Sequence, residues 1–265
     1  MSREGKLAKN TLILGVGTFL PKFASFITLP ILTGCLTKSE YGIYDLITVL
    51  VSLLLPVATL QIQAAAFRFL IDDRNDEEEV KSIVTNIVVF IGPASIFTLI
   101  VLFFCLLDQP VGVRVFICLY FFADIVVNAA RQVCRGLNQN LDYSISAILS
   151  ALGKVIFTLI CVYWVKGGIL GTVISLFAAS FCSLVYLTLK TKLYYYVDFK
   201  YFNKTKLKEM LKYSWPMVPN SLSAWVMRVS DRLIVTAFMG VSANAVYSVA
   251  CKFPTLLNLV QNTFT

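Results

Sequence analysis

Long apolar runs recur along the chain, each near the ~20 residues that cross a bilayer as a helix. They fall at approximately 10–34, 44–67, 83–107, 113–134, 143–165, 168–189, 214–239 and 244–265. The connections are short, so consecutive runs must pack as neighbours. LLLPVATL (53–60) and VLFFCLL (101–107) show no alternation, whereas a membrane β-barrel needs strands of about ten residues with a period of two. A spanning segment has to satisfy its own backbone hydrogen bonds, and an unbroken apolar run does so as a helix. The pattern predicts an all-α, polytopic transmembrane protein of about eight spans. A six-helix lobe is expected over 1–189, a basic cytoplasmic linker over 190–213, and the first two helices of a second lobe over 214–265.

Composition supports this. Hydrophobic residues make up 58% of the 265 and charged residues 14%, where a soluble domain carries roughly 25% charged residues. The net charge of +8 raises the question of nucleic acid, and its distribution answers with a membrane. With the N-terminus inside, the cytoplasmic segments hold fifteen Lys and Arg, against Lys38, Arg114 and Lys166 in the outer loops. That asymmetry predicts a cytoplasmic N-terminus. DDRNDEEE (72–79) reads as a solvated loop. The first run carries Lys22 and Pro30 and lacks a small-x-small site, so a cleaved signal peptide is not expected.

Candidate chemistry is sparse. The chain has no histidine, and its seven cysteines never form CxxC; they read as small buried apolar residues. GVGTFL (15–20) lacks the third glycine of a dinucleotide site. No catalytic constellation, cofactor or metal site is expected.

What stands out is charge inside the spans, above all in VMRVSDRLIVTAFMG (226–240). Five of the 23 basic residues lie well within apolar runs: Lys22, Lys154, Arg228, Arg232 and Lys252. Each would cost roughly 2.5–3.5 kcal/mol at a helix centre facing lipid, so they should face protein or a water-filled cavity. Asp124 and Asp231 are the expected internal anions. Arg228 and Arg232 are four apart, with Ser221 and Trp225 on the same arc, and Asp231 is placed to pair with Arg228. Thr11, Gly15, Thr18, Lys22, Ser25 and Thr33 share a face of the first helix; Ser150, Lys154 and Thr158 share one of the fifth. Arg131 and Arg135 read as cytoplasmic anchors, and Asp45 as interfacial. Trp225 could stack on a ligand or pack against a neighbouring helix. KLKEMLKY should form an amphipathic helix with Leu207, Met210 and Leu211 among the headgroups.

A repeat is also visible. LTKSEYGIYDLITVL (36–50) and MGVSANAVYSVACKF (239–253) align at an offset of 203, matching Ser39 to Ser242 and Tyr44 to Tyr247. Both begin on odd-numbered spans, so the repeat would be parallel.

Three stretches carry a resemblance: KNTLILGVGTFLPKFASFITLPILTGCLTKSEYGIYDL (9–46), YSWPMVPNSLSAWVMRVSDRLIV (213–235) and FMGVSANAVYSVACKFP (238–254). Here the chain resembles the Wzx-type polysaccharide flippases, the O-antigen and capsule transporters of the multidrug/oligosaccharidyl-lipid/polysaccharide exporter superfamily. The resemblance implies a multi-pass protein of the bacterial inner membrane. It would move undecaprenyl-diphosphate-linked oligosaccharide by alternating access between two six-helix lobes, alongside membrane lipid and other polysaccharide-assembly proteins and without nucleic acid. Lys22, Arg228, Arg232 and Lys252 match the cationic cavity lining; helix two offers Gln61 and Gln63 in place of a cation. Family members have twelve to fourteen helices, so a 265-residue chain is expected to be a fragment or to need a partner. A membrane-embedded glycosyltransferase or polymerase would need acidic or histidine catalysts and a sizeable outer loop. A multidrug exporter would favour an acidic cavity, and a non-transporting scaffold is the remaining alternative.

Overall fold

The computed structural model describes residues 3–252 and 254, with side-chain surroundings from residue 13 onward apart from 14 and 16. Ten α-helices follow one another: α1 (Arg3–Cys35), α2 (Lys38–Thr59), α3 (Ile62–Asp73), α4 (Glu77–Cys105), α5 (Val111–Gly136), α6 (Asn140–Thr158), α7 (Gly168–Thr191), α8 (Lys204–Ser214), α9 (Met217–Met239) and α10 (Val241–Ala250). No strand occurs among the described residues. Among the described residues six helices are long and apolar enough to cross a membrane, and each overlaps one of the first six expected spans. The seventh expected span is α9, 23 residues long and bearing Arg228, Asp231 and Arg232. The eighth is described through α10; the rest of 244–265 lies outside the described residues.

Two expected spans prove irregular. The run 44–67 is not one helix, because Leu60 and Gln61 are both left-handed (φ 44° and 58°) and separate α2 from α3. Pro56 withholds one amide from the last turns of α2. Thr59 then donates its hydroxyl to the Leu55 carbonyl at 2.8 Å and accepts the Gln61 amide at 3.3 Å. Such local bonds offer the backbone an alternative to continuing the helix. The run 143–165 ends in a π-helical turn, Leu159–Trp164, after α6.

Turn chemistry explains the sharp reversals. Thr37 and Glu40 form a reciprocal cap at the start of α2: the Glu40 carboxylate accepts the Thr37 amide at 2.9 Å and the Thr37 hydroxyl accepts the Glu40 amide at 3.2 Å. Asp76 caps α4 and Asn203 caps α8. Gly240 turns α9 into α10 at φ 86°, a region open to glycine.

The main core joins α2, α3, α4, α5 and α7, with Phe121, Ile62, Leu70 and Ile83 fully buried. A second cluster, including Leu32, Tyr41, Tyr44, Leu176 and Ala245, brings α1, α2, α7 and α10 together. Helices α2 and α10 run parallel and nearly touch at Gly42, where an added Cβ would stand 2.6 Å from Val241 Cγ1. Small residues of this kind let backbones approach where lipid gives no hydrophobic drive for association.

The segment between α7 and α9 is strapped to the bundle. The buried Thr85 hydroxyl accepts the Asp198 amide at 3.0 Å, and Asn86 Oδ1 accepts the Asn203 amide at 3.3 Å. Lys81 pairs with Glu77 at 2.8 Å and lies over the Tyr195 ring at 4.5 Å. Lys206 reaches Asp73 at 2.7 Å and Glu79 at 2.9 Å. Burial pulls that ammonium down, yet its bonds to the two carboxylates outweigh burial and leave it above the ordinary lysine range. The expected amphipathic helix forms as α8, but its apolar face is not among headgroups. Met210 is fully buried in the main core, and Leu207 and Leu211 pack against it. The reason is that α3 and α4 offer a closer apolar surface than the interface does.

Thr85→Val should strand the Asp198 amide, a loss of about 1–3 kcal/mol for a buried donor. Limited proteolysis should then cut residues 192–203 faster while the bundle stays intact. An unchanged cleavage rate would mean that other contacts hold the strap.

Candidate functional site

Helix α9 lies antiparallel along α2, and three polar contacts mark the seam. At one end Gln61 donates to the Ser221 hydroxyl at 3.0 Å. Midway the Trp225 indole donates to the Ser52 hydroxyl at 2.9 Å. At the other end Arg232 pairs with Asp45 at 2.8 Å. Trp225 is only 7% exposed, so its ring fills the seam. Asp45, expected at the interface, is instead buried at 2% exposure, because α9 and α10 close over it. Its second oxygen accepts the Asn244 side-chain amide at 3.3 Å, so one carboxylate ties three helices together.

The expected pairing of Asp231 with Arg228 does not form. Asp231 points to α10, where it accepts the Tyr247 hydroxyl, and it also accepts the Arg232 amide at 2.9 Å. Arg228 folds back along its own helix and donates Nε to the Ala224 carbonyl at 3.0 Å. It is exposed, as is Lys22, whose ammonium lies 5.7 Å from the Phe19 ring. Neither belongs to an ion pair among the described residues. Lys252 sits within electrostatic reach of Asp45, Arg232 and Lys154, so one carboxylate is shared among several cations. Lys154 is half-buried, 5.7 Å from the Tyr44 ring.

Arg131 is not a cytoplasmic anchor. It donates Nε to the Ser146 hydroxyl at 2.7 Å, and Nη2 to the Ser146 carbonyl at 2.9 Å, to Ser150 at 2.6 Å and to Ser183 at 3.1 Å. This polar cradle replaces its water shell between α5, α6 and α7. Arg135, partly exposed, packs its guanidinium over Phe67 at 4.6 Å. The signal for the cradle was present: Ser146 and Ser150 are four apart on α6, one turn before Lys154. Arg131, Asp124 and Lys154 line a chamber of about 250 Å³ bounded by α1, α5, α6 and α7. Among the described residues no group of three or more His, Cys, Asp or Glu could hold a metal.

The Asp45–Arg232 pair makes a test. Removing one partner of a buried pair leaves an uncompensated charge, at a cost of about 3–5 kcal/mol. Arg232→Ala should therefore lower membrane abundance, and adding Asp45→Asn should restore it, as read by immunoblot and by thermal unfolding of the purified protein. Equal abundance of Arg232→Ala and wild type would mean that the pair does not hold α2 to α9.

A comparison with curated proteins gives no match. Solved structures give several at the level of fold. A MOP superfamily transporter from Pyrococcus furiosus, described as having a binding pocket of reverse polarity, matches with a TM-score of 0.70 and 14% identity over 94% of this chain and 59% of its own. A multidrug resistance MATE family transporter in an inward-facing conformation matches at 0.71 and 13% identity over 93% of this chain and 61% of its own. An outward-facing one matches at 0.68 and 12% identity over 94% and 59%. The chain thus spans about 60% of the length of these structures. The family described as "Polysaccharide biosynthesis protein" matches residues 7–265, nearly the whole sequence, and the chain belongs to that family.

Proposed function

We propose that the chain forms part of a flippase that carries undecaprenyl-diphosphate-linked oligosaccharide across the bacterial inner membrane by alternating access. The single observation that carries this reading is a surplus of intramembrane cations over anions. Lys22 and Arg228 are exposed without ion pairs, while Lys252 shares Asp45 with Arg232. Charges in spans tend to mark substrate pathways, and an unneutralised basic wall suits a diphosphate. The prenyl tail would remain in lipid while the sugars occupy the polar space between the lobes.

In this reading Arg228 and Lys22 meet the diphosphate first. Arg228 offers a planar fork to phosphate oxygens, which a lysine copies poorly. Arg232 is held by Asp45 when no substrate is present, and the diphosphate competes with that carboxylate for it. Asp231, bound to Tyr247, keeps α10 beside α9 and with it Lys252 beside the site. The sugar-binding role considered for Trp225 is not needed. Binding and release are the only chemistry, so the chain acts as a transporter rather than an enzyme. The two lobes are taken as 1–189 and from 214 onward, with the strap between them, and the N-terminus as cytoplasmic. Assembly enzymes on that face would supply the substrate.

In a full-length protein containing this chain, Lys22→Ala and Arg228→Ala should each lower polysaccharide export at least tenfold at normal abundance, with Arg228→Lys recovering little. Normal export by both alanine variants would overturn the cavity reading. Separately, Lys200→Cys, placed in a background whose native cysteines are serine, should react with an impermeant maleimide only from the cytoplasmic side. Labelling from outside alone would reverse the orientation.

A further inference from the structure

We propose that the chamber bounded by α1, α5, α6 and α7 binds an acidic sugar. Its carboxylate would lie against Lys154 and Arg131, and its hydroxyls against Asp124 and neighbouring serines. This rests on reading the chain as one that handles a saccharide substrate.

Three charged groups face this space, within electrostatic reach of one another yet without an ion-pair contact among them. No cation lies within 4 Å of the Asp124 carboxylate, and no carboxylate lies within 4 Å of Lys154 or Arg131 among the described residues. The Asp124 backbone carbonyl accepts the Asn128 side-chain amide at 2.8 Å, and its carboxylate lies within electrostatic reach of Arg131 and Lys154. The cradle occupies Nε and Nη2 of Arg131 and leaves Nη1 unused. Charges in a low-dielectric interior are ordinarily paired with one another or with hydrogen-bond partners. A ligand in the chamber meets two cations and one carboxylate together.

That combination selects a ligand class. A bare inorganic anion would be drawn by Lys154 and Arg131 but repelled by Asp124. A metal cation would meet the opposite conflict. A neutral sugar would satisfy Asp124 and leave the cations unanswered. A sugar bearing a carboxylate answers all three, because its hydroxyls donate to Asp124 while its own charge meets the cations. Ser25, Ser150 and Ser180 add hydroxyls that can donate or accept. At about 250 Å³ the space falls just below the range of about 300–1,000 Å³ typical of pockets for drug-sized ligands, and suits a single ring. Ser25 is exposed and lies one helical turn from Lys22 on α1, so the chamber opens beside the cation proposed to meet the diphosphate. A lipid-linked glycan could thus place a uronate in the chamber while its diphosphate stays on the basic wall.

Titration calorimetry on the detergent-purified chain, with glucuronate, glucose and inorganic phosphate as probes, tests this. Wild type should bind glucuronate at least tenfold more tightly than glucose or phosphate. Lys154→Gln should weaken glucuronate at least tenfold, and Asp124→Asn should abolish its preference over phosphate. Ser150→Ala, a smaller change checked with the others by size-exclusion profile, should weaken it severalfold and guards against a folding artefact. Equal binding of phosphate would make this a simple anion site, equal binding of glucose a neutral-sugar site, and either overturns the inference. Absence of glucuronate binding also overturns it; if the full-length protein still exports polysaccharide, the flippase reading survives that failure.

Discussion

Asp45 is a buried carboxylate in a helix made mostly of Ile, Leu, Val and Tyr, and no bare charge is stable in such a place. Its neighbours are consequently fixed. Arg232 must come from α9 and Asn244 from α10, and once they do, α2 has an antiparallel partner on one side and a parallel partner on the other. The close passage at Gly42 and the Trp225–Ser52 bond follow from that alignment. Where hydrophobic association is weak, a polar contact that cannot be left unmade supplies specificity.

The all-helical, membrane-spanning fold was legible in the sequence because a run of about 20 apolar residues has few other solutions. So was Lys22 as an open charge, since no acidic residue stands near it in the sequence. The errors share a cause. Asp231 was matched to Arg228 by helical spacing, yet Tyr247 lies across the turn at Gly240, and spacing along one helix is blind to a partner on the next. Asp45 looked interfacial because it lies seven residues into α2, and only the closure of α9 and α10 buries it. Arg131 looked like an anchor because it stands near a helix end; its serines come from two other helices. The break at Leu60–Gln61 left no mark that a hydropathy window could register, for it depends on Thr59 bonding to its own backbone.

The charges divide into two populations. Asp45, Arg232, Asp231 and Arg131 are bound to partners on other helices and set the geometry of the bundle. Among the described residues Lys22, Arg228 and Lys154 form no ion pair; Lys22 and Arg228 are exposed, and the half-buried Lys154 borders the chamber beside the Tyr44 ring. The first population serves structure before anything else, although Arg131 keeps Nη1 outside its serine cradle, whereas the second still seeks a counter-charge. The polysaccharide family and the transporter-like fold supply a setting in which that remaining capacity has a use.

The strap carries a mechanical consequence. Asp198, Asn203 and Lys206 fasten the chain between α7 and α8 to α3 and α4. The strapped segment meets the α2–α9 seam at the short joint Trp215–Pro216, where α8 gives way to α9. Pro216 and Pro219 each lack an amide donor, so that joint is short of helical hydrogen bonds and bends more readily than its flanks. Helix α9 is about 34 Å long, so each degree of rotation at that joint would sweep its far tip, by Gly240, through roughly 0.6 Å, and the Asp45–Arg232 pair near that tip would have to break or travel with it.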